Sequence, residues 1–224
     1  MADLRKDFDE RAEVYDKWIA CLCPFYDEAM NALLHVLPKQ VIFILELGCG
    51  TGNLSVRLLQ KYSKANLTVV DVSPKMLAAT RKKLEGFTQQ ISYREKNFTS
   101  FHSEYQYDTI VSSLAIHHLE PKEKEQLFTS VLKMLKPGGC FYLMDCVKGQ
   151  SRELDMLYHE KWLEHMRAHT VPNKEISEAL RRREEHDRCD SLPFQLGILK
   201  KAGFVDCDVV FKIYGIAVFG GQKY

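Results

Sequence analysis

A glycine-rich turn between an apolar run and an amphipathic segment is the feature that most constrains this chain. Residues 41–45 are continuously apolar, and the run is short enough for a strand buried on both faces. The sequence Glu46-Leu47-Gly48-Cys49-Gly50-Thr51-Gly52 follows directly, and residues 53–62 then place leucines on one helical face. The order of strand, glycine turn and helix predicts the first βα unit of an open α/β sheet.

The same alternation continues to about residue 147. Further strands are predicted at residues 67–70, 91–93, 107–114, 141–147, 205–213 and 215–219, and further helices at 73–84, 121–135 and 194–202. Alternating strands and helices form right-handed βαβ units, whereas the last two strands are too close together for a crossover and must pair antiparallel. We therefore predict an α/β fold with a doubly wound, mostly parallel seven-stranded sheet and an antiparallel last strand.

Four regions follow from this pattern. Residues 1–40 are predicted as an N-terminal helical lid segment, with helices over 3–20 and 24–37 and Pro24 in the first turn of the second. Residues 41–150 form the Rossmann-like core. Residues 151–190 contain no strand candidate and are predicted as a helical insert that caps the substrate. Residues 191–224 complete the core with a helix and the edge strand pair.

Composition and charge argue against several classes of protein, although a local basic patch for nucleic acid is not excluded. The formal net charge of +1 disfavours a nucleic-acid binder, which usually carries a basic excess. No apolar run approaches the roughly 20 residues that cross a membrane, and the charged start MADLRKDFDE does not resemble a signal peptide. The seven cysteines form no zinc-type pair of C-x-x-C motifs. We expect a cytoplasmic monomer or homodimer with reduced thiols.

A carboxylate and the glycine spacing indicate which ligand the turn binds. Asp71 ends the second predicted strand, about 20 residues beyond the turn, where an acidic residue takes ribose hydroxyls. The glycines are spaced G-x-G-x-G, whereas a nicotinamide or flavin fingerprint has the spacing G-x-G-x-x-G. The spacing therefore disfavours a nicotinamide-dependent oxidoreductase.

The motifs together resemble a known family. ELGCGTG followed by VVDVSPKML is similar to the class I S-adenosylmethionine (SAM)-dependent methyltransferases, and YDTIVSSLAIHHL and LKMLKPGGCFYLMD match the regions of their fourth and fifth strands. The resemblance covers residues 41–145. It implies SAM as cofactor and S-adenosylhomocysteine (SAH) as product, but it does not identify the acceptor.

The resemblance also implies roles for individual residues. Gly48, Gly50 and Gly52, with Cys49 between them, would line the methionine and ribose portions, Glu46 would hold the amino end, and Asp71 would bind the ribose diol. The further residues expected at the cofactor are Val72, Met76, Asn97, Phe98, Ser113 and Leu114. Met76 can equally be core filler. The aromatic N-terminal segment would cover the pocket through Tyr15 or Tyr26, unless these side chains only attach it to the domain.

Two histidines are the candidates for acceptor chemistry. His117 and His118 follow the fourth strand, where the active-site mouth of an open sheet lies, and either can position the acceptor or remove its proton. The alternative is that one of them only packs under the insert.

The insert contains His159, His165, His169 and His186. His165 and His169 have a helical spacing that can share a metal with Asp155 or Glu164. Solvated histidines are commoner, so no metal site is predicted. Arg181-Arg182-Arg183 is predicted as a solvated helix face, with an anionic substrate contact as the alternative.

These observations predict a methyltransferase that acts on a small-molecule acceptor by in-line transfer. The alternatives are an RNA-modifying enzyme, an enzyme that handles carboxylated SAM, and a SAM-binding protein without catalysis.

Overall fold

The computed structural model describes the backbone of residues 2–224 and the side chains of residues 5–87 and 90–224. The strands are β1 (Phe43–Leu47), β2 (Asn66–Asp71), β3 (Ile91–Glu95), β4 (Tyr107–Ser113), β5 (Leu135–Cys146), β6 (Val205–Ile213) and β7 (Ile216–Gln222). They form one seven-stranded sheet in the order β3-β2-β1-β4-β5-β7-β6. Strand β7 is antiparallel to β5 and β6, and the other neighbours are parallel. The predicted fold class is confirmed.

The α-helices are α1 (Ala2–Arg11), α2 (Tyr15–Leu22), α3 (Tyr26–Val36), α4 (Asn53–Lys61), α5 (Pro74–Lys83), α6 (Pro121–Met134), α7 (Arg152–Ala168), α8 (Asn173–His186) and α9 (Leu192–Ala202). Short 3-10 helices cover Glu85–Gln90, Phe98–Ser100 and Ile116–His118. Helix α5 begins as the sequence predicts, because Ser73 accepts the Met76 N–H at 3.0 Å and Pro74 occupies the first turn.

Several predicted boundaries are wrong. Strand β5 starts at Leu135, six residues earlier than predicted, and β7 continues to Gln222 instead of ending at residue 219. The single helix predicted over 3–20 is two helices, because the backbone turns between α1 and α2. Helix α3 begins at Tyr26 after Phe25, whose φ is +55°, so Pro24 precedes the helix and does not occupy its first turn. Strand β1 starts two residues later than predicted, because the N–H groups of Ile42 and Phe43 donate to the Asp108 carboxylate at the sheet end.

The two faces of the sheet carry separate cores. Helices α3, α4 and α5 cover one face, and α6 and α9 cover the other. Ala29, Met30 and Leu33 of α3 are fully buried in the first core. Helix α3 is therefore an integral part of the sheet domain, whereas α1 and α2 lie at the carboxyl ends of the strands. We refer to α1 and α2 as the lid, and to residues 151–190, which contain α7 and α8, as the insert.

A buried lysine attaches the end of the insert to the sheet domain. Lys124 of α6 is fully buried, and its ammonium donates to the Asp190 carboxylate at 2.7 Å and to the Arg188 carbonyl. The N–H of Arg188 donates to the His117 carbonyl at 2.7 Å. Because a buried ammonium is tolerated only when paired, this anchor fixes the segment after α8 against the loop after β4. Within residues 2–224, no helix has both the length and the apolar character needed to span a membrane.

Candidate active site

The glycine turn adopts backbone conformations that other residues avoid. Gly48 and Gly50 have φ values of +70° and +53°. A Cβ atom at Gly48 would lie 2.4 Å from the Ala115 Cβ, so a side chain there would collide with the loop after β4. A Cβ atom at Gly50 would meet no atom within 4 Å. Gly48 therefore brings two loops together, and Gly50 leaves space above the turn.

Asp71, at the end of β2, fixes the turn from the side. Its two carboxylate oxygens accept the N–H of Gly50 at 2.8 Å and the N–H of Ser73 at 2.9 Å. Burial raises the pKa of Asp71, and the backbone N–H donors oppose that rise. The carboxylate thus supports the glycine turn and also faces the space above it.

Glu46 is a second buried carboxyl group at the turn. Ser55 of α4 donates to Glu46 Oε2 at 2.5 Å, and the residue is 1% exposed. Burial, together with the nearby charge of Asp71, raises the pKa of Glu46 to about 8, although the Ser55 hydrogen bond opposes the shift. A buried carboxyl group with this pKa favours a cationic partner that would stabilise its ionised form.

These groups line a first cavity of about 800 Å³, counting its open mouth. The residues predicted at the cofactor that lie on it are Tyr15, Tyr26, Glu46, Gly48, Cys49, Gly50, Asp71, Val72, Met76, Asn97, Phe98, Ser113 and Leu114. Gly52 is not among its lining residues. It faces α5, since a Cβ atom there would lie 3.0 Å from the Thr80 Cγ2. The structure thus assigns Gly52 to helix packing rather than to the cavity wall.

Sequence reasoning missed several lining residues: Phe8, Met30, Thr51, Asn53, Leu54, Ala115 and Leu119. Thr51, Asn53 and Leu54 extend the glycine motif into α4, so their position beside it was a usable signal. Phe8 and Met30 reach the cavity only through the packing of α1 and α3, for which the sequence carries no local signal.

A second cavity of about 1120 Å³ adjoins the first. The lid, the insert, the loop after β4 and the β6–β7 turn enclose it, and the residues it shares with the first cavity are Phe8, Tyr15, Leu114 and His118. Leu114 has a φ of +52°, which is rare for a side chain of this size, and its N–H donates to the Met144 carbonyl at 2.9 Å. Strained backbone therefore occurs where the cavities meet.

The two candidate histidines lie on the wall of the second cavity. His117 donates from Nδ1 to Asp145 Oδ1 at 2.5 Å, and both residues are buried. The Nε2 of His117 and the Nδ1 of His118 lie 3.6 and 3.4 Å from Asp187 Oδ1. His118 also lies on the first cavity, whereas His117 lies only on the second. Asp187 comes from the end of α8 and had no signal in the sequence.

The two histidines differ in electrostatic environment. Burial opposes a charge on His117, but the carboxylates of Asp145 and Asp187 outweigh it and raise the pKa of His117 to about 9. Burial and the neighbouring His117 hold the pKa of His118 below its usual value. The sequence alone did not distinguish between these two residues.

The other residues singled out in the insert are dispersed. His165 and His169 are on an exposed face with ring centroids 4.1 Å apart, and each has a nitrogen near a backbone carbonyl. His159 packs edge-on against Trp162, and His186 lies on the second cavity. Asp155 accepts the N–H of Gly149, and Glu164 pairs with Lys161. These contacts do not assemble the metal group considered for His165 and His169.

The arginine run divides between surface and cavity. Arg181 pairs with Glu178 and Glu185 on the exposed face of α8. Arg182 lies on the second cavity, pairs with Asp7 and stacks over Phe8. Arg183 also lies there, with its guanidinium 5.2 Å from the Trp162 ring centroid.

Comparison with known proteins agrees with the fold. A family model described as a methyltransferase domain matches residues 44–139. This chain belongs to the class I SAM-dependent methyltransferases. Carboxy-S-adenosyl-L-methionine synthase from Nautilia profundicola is 23% identical to this methyltransferase over 217 residues, which cover 95% of the chain and 92% of that relative.

Two further proteins are similar to this chain, one in part of its sequence and the other in its fold. Malonyl-acyl-carrier-protein O-methyltransferase from Priestia megaterium is 30% identical over 158 residues, which cover 69% of this methyltransferase and 55% of that relative. The structure of the N-methyltransferase NodS from Bradyrhizobium japonicum with SAH superimposes with a TM-score of 0.69 at 19% identity, covering 97% of each chain. The names of the three proteins describe different reactions.

Proposed function

We propose that this methyltransferase binds SAM in the first cavity and transfers its methyl group to a small organic acceptor in the second. One observation supports the proposal above the others: the two cavities meet at Phe8, Tyr15, Leu114 and His118. A cofactor and an acceptor held on either side of this junction would be adjacent.

The residues of the first cavity fit SAM group by group. The Asp71 carboxylate, beside the open space over Gly50, suits a ribose diol. The buried carboxyl group of Glu46 suits the α-ammonium group of the methionine portion. Val72 and Met76 supply apolar walls for the adenine ring. Bound SAM supplies a methyl group already activated by a positively charged sulfur.

The residues of the second cavity align the acceptor and exclude water. Transfer of an activated methyl group is limited by orientation, so a closed site that fixes the acceptor contributes most of the rate enhancement. The lid and the insert close this site, with Phe8, Tyr15 and His118 at the junction of the two cavities. We propose that His117 and His118 contact the acceptor directly or through a group bound to them.

The chemistry of the second cavity favours a small acceptor. Its wall combines the aromatic rings of Tyr158, Trp162 and Tyr214 with the cationic groups of Arg11, Lys161 and Arg183. The cavity lies between the lid and the insert, whereas a nucleic acid requires an extended basic surface. An aromatic or aliphatic acceptor with an acidic group fits this lining.

Two measurements test the proposed function. SAM and SAH should raise the melting temperature, whereas NADH should leave it unchanged, because a ligand stabilises only the state that binds it. Asp71→Asn, which keeps the shape of the side chain and removes its charge, should weaken SAH binding about tenfold.

A third measurement identifies the acceptor class. After incubation with methyl-labelled SAM, label should appear in a low-molecular-weight compound of a metabolite extract that chromatography separates from SAM, and not in purified RNA. If label appears only in RNA, the protein is an RNA-modifying methyltransferase and the proposed small-molecule acceptor is wrong. If the protein binds SAM but labels neither small molecules nor RNA, it is a SAM-binding protein without catalysis.

Synthesis of a carboxylated SAM is the second candidate function. The similarity to the carboxy-S-adenosyl-L-methionine synthase extends over 95% of this chain, and the basic lining of the second cavity fits a carboxylated co-substrate. Mass spectrometry of the ligand extracted from the purified protein distinguishes the two functions, because carboxylation changes the mass of SAM.

A further inference from the structure

Three side chains from distant parts of the sequence converge on the wall of the second cavity. One ligand atom from each of His117, His118 and Asp187 lies within 4.8 Å of the other two. His117 Nε2 and His118 Nδ1 lie 3.6 and 3.4 Å from Asp187 Oδ1. Ligands bound tetrahedrally to one ion with bonds of about 2.1 Å lie ~3.4 Å apart, so these separations match a shared metal ion.

The surroundings orient the three donor atoms. Asp145 accepts the Nδ1 proton of His117 at 2.5 Å, so Nε2 is the ring nitrogen that faces Asp187, and a bound ion would take the place of the proton on it. Metal-bound histidines in proteins typically have this carboxylate behind the other ring nitrogen. Asp187 is held in place because the next residue, Arg188, is bonded through its N–H to the His117 carbonyl. A weak contact of 3.3 Å from His118 Nδ1 to the His186 carbonyl is the interaction that an ion would displace.

We propose that His117, His118 and Asp187 bind one divalent first-row transition-metal ion, such as Zn²⁺, on the wall of the second cavity. Two imidazole nitrogens and one carboxylate oxygen suit such ions and do not suit Mg²⁺, which prefers oxygen ligands. Three protein ligands leave at least one coordination position, and the site borders the cavity. An oxygen of the acceptor can occupy that position. This last step rests on the proposed function, whereas the binding of the ion does not.

The test uses the full-length protein after chelation, without SAM or acceptor, and titrates it with Co²⁺ and Zn²⁺. We expect one Co²⁺ per chain with visible absorption, and displacement of Co²⁺ by Zn²⁺. Asp187→Asn should weaken binding at least tenfold, as should His118→Ala, because each removes one of three ligands. Asp187 is partly exposed, so its variant should fold, and far-ultraviolet circular dichroism checks this.

The matched control is the double variant His165→Ala/His169→Ala, which removes the exposed histidine pair of α7 and its C-terminal end. It should bind Co²⁺ as the unaltered protein does. Loss of binding in this control, with retention in Asp187→Asn, would overturn the proposal. Absence of any stoichiometric binding would also overturn it.

A nearby thiol requires one more control. Cys146 Sγ, His117 and Asp145 form an alternative donor group. A thiolate-to-cobalt charge-transfer band that Cys146→Ser abolishes would place the ion there and overturn the assignment to Asp187. Methyl-transfer assays are not needed for any of these outcomes, so failure of this proposal is distinguishable from failure of the proposed function.

Discussion

Two buried carboxyl groups, Glu46 and Asp71, lie at the glycine turn and have different hydrogen-bond partners. Asp71 has backbone N–H donors on both oxygens, whereas Glu46 has the Ser55 hydroxyl on one oxygen. Burial raises the pKa of both groups, and for Glu46 it reaches about 8. Glu46 is therefore largely protonated in the free protein at neutral pH, and a bound ammonium group would ionise it.

This coupling predicts that SAH binding strengthens with pH. Below pH 8 the free protein must release the Glu46 proton to pair with the ligand ammonium, so the affinity should rise by up to about tenfold per pH unit between pH 6 and pH 8. Calorimetry in buffers of different ionisation enthalpy should detect the released proton. Glu46→Gln cannot ionise and should lose both the proton release and this slope. The α-amino group of SAH also titrates near pH 8. Any part of the slope that remains in Glu46→Gln therefore measures the contribution of that amino group. If Glu46→Gln retained the full slope, Glu46 would not be the titrating group.

The lid helices are attached to the cofactor region mainly by polar contacts. Asp16 of α2 accepts from Thr51 Oγ1 at 2.5 Å, Asn53 Nδ2 at 2.9 Å and Lys83 Nζ at 2.6 Å. Asp9 of α1 accepts from Ser73 Oγ at 2.6 Å. Because these contacts are partly solvated, each of them stabilises the packing of the lid only modestly, and we expect the lid to open.

Removing the Asp16 contacts should accelerate ligand release. Asp16→Ala deletes three hydrogen bonds between the lid and the elements beside the glycine turn, and the SAH dissociation rate constant should rise roughly three- to tenfold, for a net loss of about 1 kcal/mol. Stopped-flow displacement measures this rate. Asp27→Ala is the matched control, because it removes an exposed ion pair between Asp27 of α3 and Arg57, outside the lid. Equal rates in both variants and the unaltered protein would show that the lid does not control release.

The sequence predicted the elements whose signals are local, and it missed the contacts made between distant elements. The apolar run before the glycine turn and the Ser73-Pro74 helix start depend on neighbouring residues, so the sheet and most of the first cavity could be predicted. Asp187 reaches His117 only because Lys124 and the His117 carbonyl anchor the segment after α8. No periodicity encodes such a contact. The spacing of His165 and His169 was a local signal that the structure places on an exposed face, away from both cavities.

The whole molecule consists of a sheet domain and a cap that carries its own small core. Met166, Val171, Ile176 and Ala179 of the insert region are buried together, and Cys21 and Leu22 of α2 pack against them. Trp162 Nε1 donates to the Leu22 carbonyl at 2.6 Å and joins the same elements. The lid helix α2 and the insert are therefore packed against each other over the second cavity, and Ile19 of α2 also contacts the first sheet core.

Because the cap has a separate core, it should be possible to loosen it without unfolding the sheet. Met166 is fully buried there, so Met166→Ala should destabilise the cap by about 2–3 kcal/mol through lost burial and a residual cavity. Native-state hydrogen exchange should then quicken at the amides of α2, α7 and α8, while the amides of β1 and β4 keep their protection. Leu33→Ala, a truncation at a fully buried position of the sheet core, is the control. It should lower protection throughout the sheet domain and reduce the melting temperature of the whole protein. Uniform loss of protection in Met166→Ala would mean that cap and sheet unfold as a single cooperative unit, and acceptor entry would then require a path other than opening of the cap.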